Sequence, residues 1–182
     1  MIPDVNETAQ AFIAKARSLL VGEYLPKIER CLEELSEEAV WWRANAESNS
    51  IGNLLLHLAG NVRQWIVSGI GGAPDERIRQ QEFDAQSGIA RAELLARLRQ
   101  ALLDVDNVLA VFDPSRVLEE RRIQGYDVTV LDALFHVVEH FAMHTGQIIL
   151  LTKMLKGADL KFYEFSSGNP KPDWKQSTDD RS

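Results

Sequence analysis

Helical hydrophobic periodicity constrains the fold of this chain more than any other feature of its sequence. In the clearest stretch, leucine and valine recur three and four positions apart between Leu95 and Phe112, a spacing that places them on one face of a helix. Three further segments carry a similar pattern. The periodicity predicts four amphipathic helices. The first begins near Asn6, and the other three run from about Ile51 to Val67, Gly88 to Phe112 and Val130 to Lys156.

Two interruptions indicate how these helices are connected. Pro26 lies inside the first pattern, and its ring clashes with the carbonyl of Gly22, so we expect a kink or a break into two pieces. The second and third helices are separated by about 18 residues, whereas antiparallel neighbours in bundles are usually joined by 2–8. The sequence therefore predicts an all-α fold, a four-helix bundle with a long crossover between helices 2 and 3.

Composition and charge exclude several classes of protein. The 182 residues are enough for one domain with a sizeable core. A net charge of −7 argues against binding to nucleic acid or to an anionic membrane. The single cysteine, Cys31, rules out an internal disulfide and a cysteine-rich zinc site.

The ends of the chain and its apolar runs lead to an expected location and domain plan. The N-terminus lacks a signal-peptide pattern, and no stretch approaches the roughly 20 apolar residues of a membrane span. We therefore expect a cytoplasmic protein with no membrane partner. Residues 1–157 are predicted to form the bundle, and residues 158–182 a polar tail whose serine and proline content favours a loose segment.

The histidines are the strongest functional signal. His136, His140 and His144 are spaced four residues apart in "HVVEHFAMHTGQ", and two histidines at i, i+4 on a helix can bind one metal ion. The remaining one, His57, lies in the apolar run "NLLLHLAGN", where burying an imidazole costs free energy unless its nitrogens are bonded. A metal held between helices 2 and 4 would bind one nitrogen of each of three rings, that of His57 and those of an i, i+4 pair on helix 4.

Helical geometry separates the roles of the clustered histidines. His140 and His144 flank the core side of the fourth helix, whereas His136 lies nearer the rim. Without a metal, His57 could instead be a hydrogen-bonded core histidine, and His140 and His144 could be a solvated pair or a pair hydrogen-bonded between helices. Asn53 and Asn61 lie one turn on either side of His57 and are candidates to orient it.

Two segments together resemble the DinB-like (YfiT-like) family, "HVVEHFAMHTGQI" in the fourth helix and "SIGNLLLHLAGNVRQWI" in the second. The similarity extends from about Asn6 to Leu155. It implies a bundle with up-down-down-up topology, a homodimer, and a divalent transition metal, most often zinc or nickel, held by His57, His140 and His144. Some members of that family are transferases or isomerases that use a low-molecular-weight thiol.

Two classes of function follow. The first is a metalloenzyme, in which three neutral histidines leave an open coordination position for thiol-dependent transfer on a small molecule, or for metal-dependent hydrolysis. His136 is then the candidate catalytic residue, as a proton carrier near neutral pH. The second class is a non-enzymatic protein, in which the metal only joins helix 2 to helix 4 or is absent.

Overall fold

The computed structural model describes residues 5–165 and 168–174. Within them the chain is mostly helical, with seven α-helices and two short antiparallel hairpins. The helices are α1 (Val5–Leu19), α2 (Leu25–Glu33), α3 (Glu37–Val40), α4 (Ile51–Val62), α5 (Arg79–Asp84), α6 (Arg91–Ala110) and α7 (Val130–Lys156). The strands are β1 (Glu120–Ile123), β2 (Tyr126–Thr129), β3 (Tyr163–Glu164) and β4 (Lys171–Pro172).

The first predicted helix is divided at its proline by a widened turn. A π-helical turn, Leu20–Tyr24, joins α1 to α2, and the N–H of Leu25 donates to the carbonyl of Leu20, five residues back. Pro26 then occupies the first turn of α2, the part of a helix that best tolerates a residue without an N–H. The chain thus stays helical through the proline at the cost of one wide turn.

The two helices that carry histidines begin with reciprocal side-chain caps. Ser50 caps α4 and exchanges hydrogen bonds with Asn53, while Thr129 and Asp132 form the same arrangement at the start of α7. Such caps satisfy backbone N–H groups that a helix start leaves free. The bounds of α7 match the predicted fourth helix, and α4 continues through a π-helical turn, Arg63–Ser68.

The segment between the second and third predicted helices contains a helix that the periodicity did not indicate. This short helix, α5, packs against α4, and its glutamate, Glu82, is buried. The segment before α7 forms a hairpin, in which β1 pairs with β2 around Gln124 and Gly125, which both have positive φ.

The core lies between α1, α2, α4, α6 and α7, which pack on one another. The described part of the tail is more ordered than its composition indicated, because β3 pairs with β4 and the side chains of Leu160 and Trp174 are buried. Residues 166–167 and 175–182 of that tail lie outside the described part. None of the described helices is long and apolar enough to cross a membrane.

Candidate metal centre

Three imidazoles from two helices meet at their Nε2 atoms. His57 projects from the middle of α4, and His140 and His144 project from successive turns of α7. The Nε2 atom of His140 lies 3.0 Å from that of His57 and 3.2 Å from that of His144. Among the described residues, these three form a group whose candidate ligand atoms all lie within 4.8 Å of one another.

His57 presents a bare lone pair to this cluster. Its other nitrogen, Nδ1, lies 2.9 Å from Oε2 of Glu82, and an ionised carboxylate can only accept a hydrogen bond. When the ring carries one proton, that proton is therefore on Nδ1. Arg77 Nη2 lies 3.1 Å from the same nitrogen, but it can only donate and has Oε2 of Glu82 at 2.9 Å as its acceptor.

His144 is arranged in the same way from the opposite side. Its Nδ1 lies 2.7 Å from the side-chain oxygen of Gln147, one turn further along α7. With the amide placed in this orientation, the oxygen accepts and Nδ1 carries the proton. Nε2 of His144 then carries a second lone pair, which is directed at His140.

The arrangement of lone pairs fits a cation better than it fits hydrogen bonds alone. A single N–H on Nε2 of His140 could donate to one neighbour and would leave the other lone pair unmatched. Nδ1 of His140 is buried and, within the described part of the chain, has no hydrogen-bond partner. A metal–nitrogen distance of 2.0–2.1 Å puts two tetrahedral ligand atoms about 3.4 Å apart, close to both observed separations.

Burial holds the rings of His140 and His144 in the neutral form that binds metals. Burial lowers the pKa of His140 to about 3, assisted by the charges that His144 and His57 would carry when protonated. Burial also lowers the pKa of His144, although its bond to Gln147 acts in the opposite direction. At neutral pH both rings are therefore uncharged and have a lone pair available.

A buried ion pair orients His57 from outside the cluster. Arg77 binds both oxygens of Glu82, at 2.7 Å through Nε and 2.9 Å through Nη2. Burial raises the pKa of this carboxyl, but the hydrogen bonds from Arg77 and His57 outweigh it and the net pKa is lowered. Glu82 is thus ionised, and the series Arg77–Glu82–His57 fixes both the tautomer and the direction of the ring.

Two residues of α4 make room for this ion pair and locate it. A Cβ on Gly60 would lie 2.1 Å from Oε1 of Glu82 and 3.0 Å from Nε of Arg77, so a larger residue there would displace the pair. Asn53 donates to the carbonyl of Glu82 at 2.8 Å and to that of Ala85 at 2.7 Å. Both contacts fasten α5 to the helix that carries His57.

His136 lies beside the cluster and outside it. Its ring packs on Trp65 with centroids 4.0 Å apart and lies 5.4 Å from the ring of His140. Nε2 of His136 is 3.5 Å from Nδ2 of Asn61, at the outer limit of a hydrogen bond. Burial lowers its pKa, which favours a neutral imidazole able to accept a proton at neutral pH.

Cavities of opposite character flank the site. On the side of α5, a cavity of about 440 Å³ is lined mainly by polar residues, among them Arg77 and Glu82. On the side of α1, a cavity of about 680 Å³ is lined mainly by apolar residues, and its wall also includes His136 and Glu139. Both volumes lie within the range of about 300–1,000 Å³ that is typical of small-molecule sites.

The structure brings together the three histidines predicted as ligands, and their assignment as ligands stays a prediction. Asn53 and Asn61 were expected to orient His57, and this expectation is wrong, because neither is its hydrogen-bond partner and Glu82 takes that place. Glu82 and Arg77 were missed. Their only sequence signal is a charged stretch with little apolar periodicity, which does not indicate a packed helix.

Comparison with known proteins places the fold. A family model described as a protein of unknown function, DUF1572, matches residues 7–169. The crystal structure of a DinB-like protein from Bacillus cereus ATCC 10987 matches with a TM-score of 0.58 and 15% sequence identity, covering 75% of this chain and 90% of that one. No curated protein matches. The expected resemblance to DinB-like proteins is confirmed at the level of the fold.

Proposed function

The chain belongs to the DUF1572 family of proteins of unknown function, and on that premise we propose that it is a metalloenzyme. One divalent transition metal, zinc or nickel, is held by Nε2 of His57, His140 and His144. The observation that carries the proposal is the meeting of three Nε2 atoms at 3.0 and 3.2 Å, with the opposite nitrogens of His57 and His144 occupied by hydrogen bonds.

The donor set supports an open site. Three neutral imidazoles leave the full charge of a divalent ion uncompensated, and three-histidine sites commonly keep a further position for an exogenous ligand. Within the described residues the group contains three possible ligands. An ion bound there would supply a Lewis acid able to hold a thiolate or to acidify water.

The favoured reaction is thiol-dependent transfer on a small molecule. Cys31 cannot supply the thiol, because it is fully buried and burial raises its pKa to about 11. The nucleophile would therefore be a low-molecular-weight thiol from solution. His136 is the proposed proton carrier, since its ring lies next to that of His140 and also lines the apolar cavity.

Metal-dependent hydrolysis is the second candidate. It is favoured by the same position of His136, which could accept a proton from water as readily as from a thiol. The two reactions differ in one requirement, because only the first needs an added thiol.

We also propose that the bundle runs up-down-down-up, with the second and third predicted helices, α4 and α6, parallel. The support is the segment between α4 and α6, which is long enough to return along the bundle and which places α5 against α4. In this arrangement the crossover is also the element that delivers Glu82 to the metal centre.

Metal content is the first test. Elemental analysis of protein purified without chelator and without a nickel column should find close to one zinc, nickel or similar ion per chain. A stoichiometry near zero that persists after incubation with these ions would contradict the proposal. Chelation should also lower the melting temperature, because the ion binds the folded arrangement and hardly the unfolded chain.

The reaction is tested by a screen of electrophiles with several low-molecular-weight thiols, using metal-loaded and metal-free protein in parallel. A rate that needs both the thiol and the metal would support transfer. A rate that needs the metal alone would support hydrolysis. If no thiol raises the rate above the uncatalysed reaction and none binds near the metal, transfer is wrong.

A further inference from the structure

The cavity on the side of α1 combines an apolar wall with charged residues of a single sign. Its volume is about 680 Å³. Among the described residues that line it, two are acids, Asp132 and Glu139, and none is a lysine or an arginine. The rest of the wall is mainly apolar and comes from α1, α7 and the segment between α6 and β1.

Neither carboxylate is paired with a cation in the described part of the chain. Asp132 accepts hydrogen bonds from the N–H and the hydroxyl of Thr129, and the bond from the hydroxyl lowers its pKa, so its charge is retained. Glu139 forms neither a salt bridge nor a side-chain hydrogen bond with a described residue. By contrast, Asp106 and Glu119 are each paired with an arginine. The cavity therefore carries negative charge that the fold does not neutralise.

Two aromatic rings add to the attraction for a positive group. Phe12 on α1 and Phe135 on α7 both line the cavity. The face of an aromatic ring attracts an ammonium group, and its hydrocarbon surface is stabilised by contact with an apolar ligand. An anionic ligand would gain only the second contribution and would be repelled by both carboxylates.

We propose that this cavity binds an apolar organic cation, an amine or a quaternary ammonium compound. Its hydrocarbon body lies in the apolar part of the cavity, and its positive group lies beside Glu139 and Asp132. The unpaired carboxylates select the class of ligand, because complementary charge discriminates between molecules of similar size and shape. The volume is sufficient for a small molecule of this kind.

His136 connects this cavity with the metal centre. Its ring is part of the cavity wall and lies 5.4 Å from the ring of His140. A ligand in the cavity would therefore lie next to the proposed proton carrier, which makes it the substrate of the proposed reaction. That last step rests on the proposed function, whereas the binding of a cation depends only on the cavity.

The first experiment compares three probes that share one hydrocarbon body. Phenylbutylamine, phenylbutanol and phenylbutyrate are cationic, neutral and anionic at neutral pH. Their dissociation constants are measured by titration calorimetry on the full chain without metal, since a carboxylate could bind to the metal itself. The amine should bind roughly tenfold more tightly than the alcohol and the acid most weakly, with a preference that shrinks as salt is added. Equal binding of amine and alcohol, tightest binding of the acid, or no binding of the amine would overturn the proposal.

The second experiment assigns the preference to one carboxylate. Glu139→Gln removes its charge, keeps its shape and should reduce the preference for the amine over the alcohol roughly threefold. Glu33→Gln is the matched control, because Glu33 is also exposed and ends α2. Its neighbour Glu34 pairs with Lys156, at the opposite end of α7 from the cavity. The control changes the net charge of −7 equally and should keep the preference. An equal loss in both variants would show attraction by overall charge and overturn the proposal.

A third variant tests where the probes bind. Phe135 is more than half exposed, so Phe135→Ala should leave the fold intact. It should weaken the binding of both the amine and the alcohol, roughly threefold. Unchanged affinity for both probes would place them outside this cavity and overturn the proposal.

Metal content and competition separate this proposal from the proposed function. Protein that binds the amine but no metal would contradict the metalloenzyme and leave the cation site standing. Protein that binds metal but not the amine would do the reverse. Where the electrophile screen finds a reaction, the amine should compete with the electrophile. Binding of the amine without competition would overturn the assignment of this cavity to the substrate.

Discussion

His57 and His140 meet at 3.0 Å but are held by opposite means. On the α4 side, His57 is bonded to Glu82, and its ring packs against Phe83 with centroids 4.9 Å apart. On the α7 side, Nδ1 of His140 has no hydrogen-bond partner among the described residues. One ring is fixed by a network of side chains, and the other is fixed by the register of its helix.

The difference shows that the two helices contribute different things to the centre. α7 supplies two ligands at a spacing that any regular helix guarantees. α4 supplies a single ligand, whose direction depends on a buried ion pair from a separate element. The α4 side should therefore be sensitive to changes far along the chain, whereas the α7 side should be sensitive mainly to loss of the ligands themselves.

Removing a ligand should produce the largest effect. His140→Ala is expected to abolish metal binding, because two remaining nitrogens cannot form a stable three-ligand site, and His57→Ala and His144→Ala should do the same. His136→Ala is the control and should retain the metal, since its ring lies outside the cluster and packs on Trp65. Metal content by elemental analysis, with circular dichroism to confirm folding, checks this. Metal loss in His136→Ala as complete as in His140→Ala would move the site one turn towards the start of α7.

Breaking the ion pair should have the next largest effect. Glu82→Ala leaves the guanidinium of Arg77 without its partner in a site where the Arg77 side chain is 4% exposed. Removing one member of a buried pair typically costs about 3–5 kcal/mol of stability. Removing the partner of a metal-bound histidine typically weakens metal binding by about 10–100-fold.

Both effects of Glu82→Ala are measurable on one sample set, by urea unfolding and by competition with a metal chelator. Arg116→Ala serves as a control, since Arg116 pairs with Glu119 on the surface, with half of its side chain exposed. The control should change both quantities little. If Glu82→Ala binds metal as tightly as the native protein, the carboxylate does not orient His57.

Gly60→Ala should give a smaller effect of the same kind. The added Cβ would lie 2.1 Å from Oε1 of Glu82, so the carboxylate that is bonded to His57 must shift from its position. We expect weaker metal binding, by less than in Glu82→Ala, because the shifted carboxylate can still form part of its bonds. Gly22→Ala is the control, since its Cβ would meet no described atom within 4 Å apart from its chain neighbours and the nearby backbone of its own helix. Equal metal affinity in both variants would show that α5 adjusts without cost.

The two sides of the centre differ in how far local sequence signals determine them. The bounds of α7 and the convergence of its histidines with His57 follow from local signals: a cap, a glycine stop and helical spacing. Glu82 could not be predicted in this way. It lies 25 residues from His57, on a helix of six residues whose sequence, "RQQEFD", lacks an apolar stripe. Its burial depends on Arg77, Asn53 and Gly60 acting together, a tertiary arrangement that no local pattern encodes.

The smallest expected effect is the response of the metal-free protein to acid. The pKa of His140 is lowered by burial to about 3 in the folded state, whereas it is about 6.5 in the unfolded chain. Between these values the unfolded chain binds a proton that the folded protein excludes, so stability falls as the pH decreases below about 6.5. His144 contributes with the same sign, because burial also lowers its pKa.

The midpoint of urea unfolding, measured without metal from above pH 7 down to about 5, checks this dependence while the carboxylates remain largely ionised. His140→Gln removes the most strongly shifted group and should flatten the dependence in that window. If the slope in His140→Gln equals that of the native protein, burial of the His140 imidazole does not cause the loss of stability in acid.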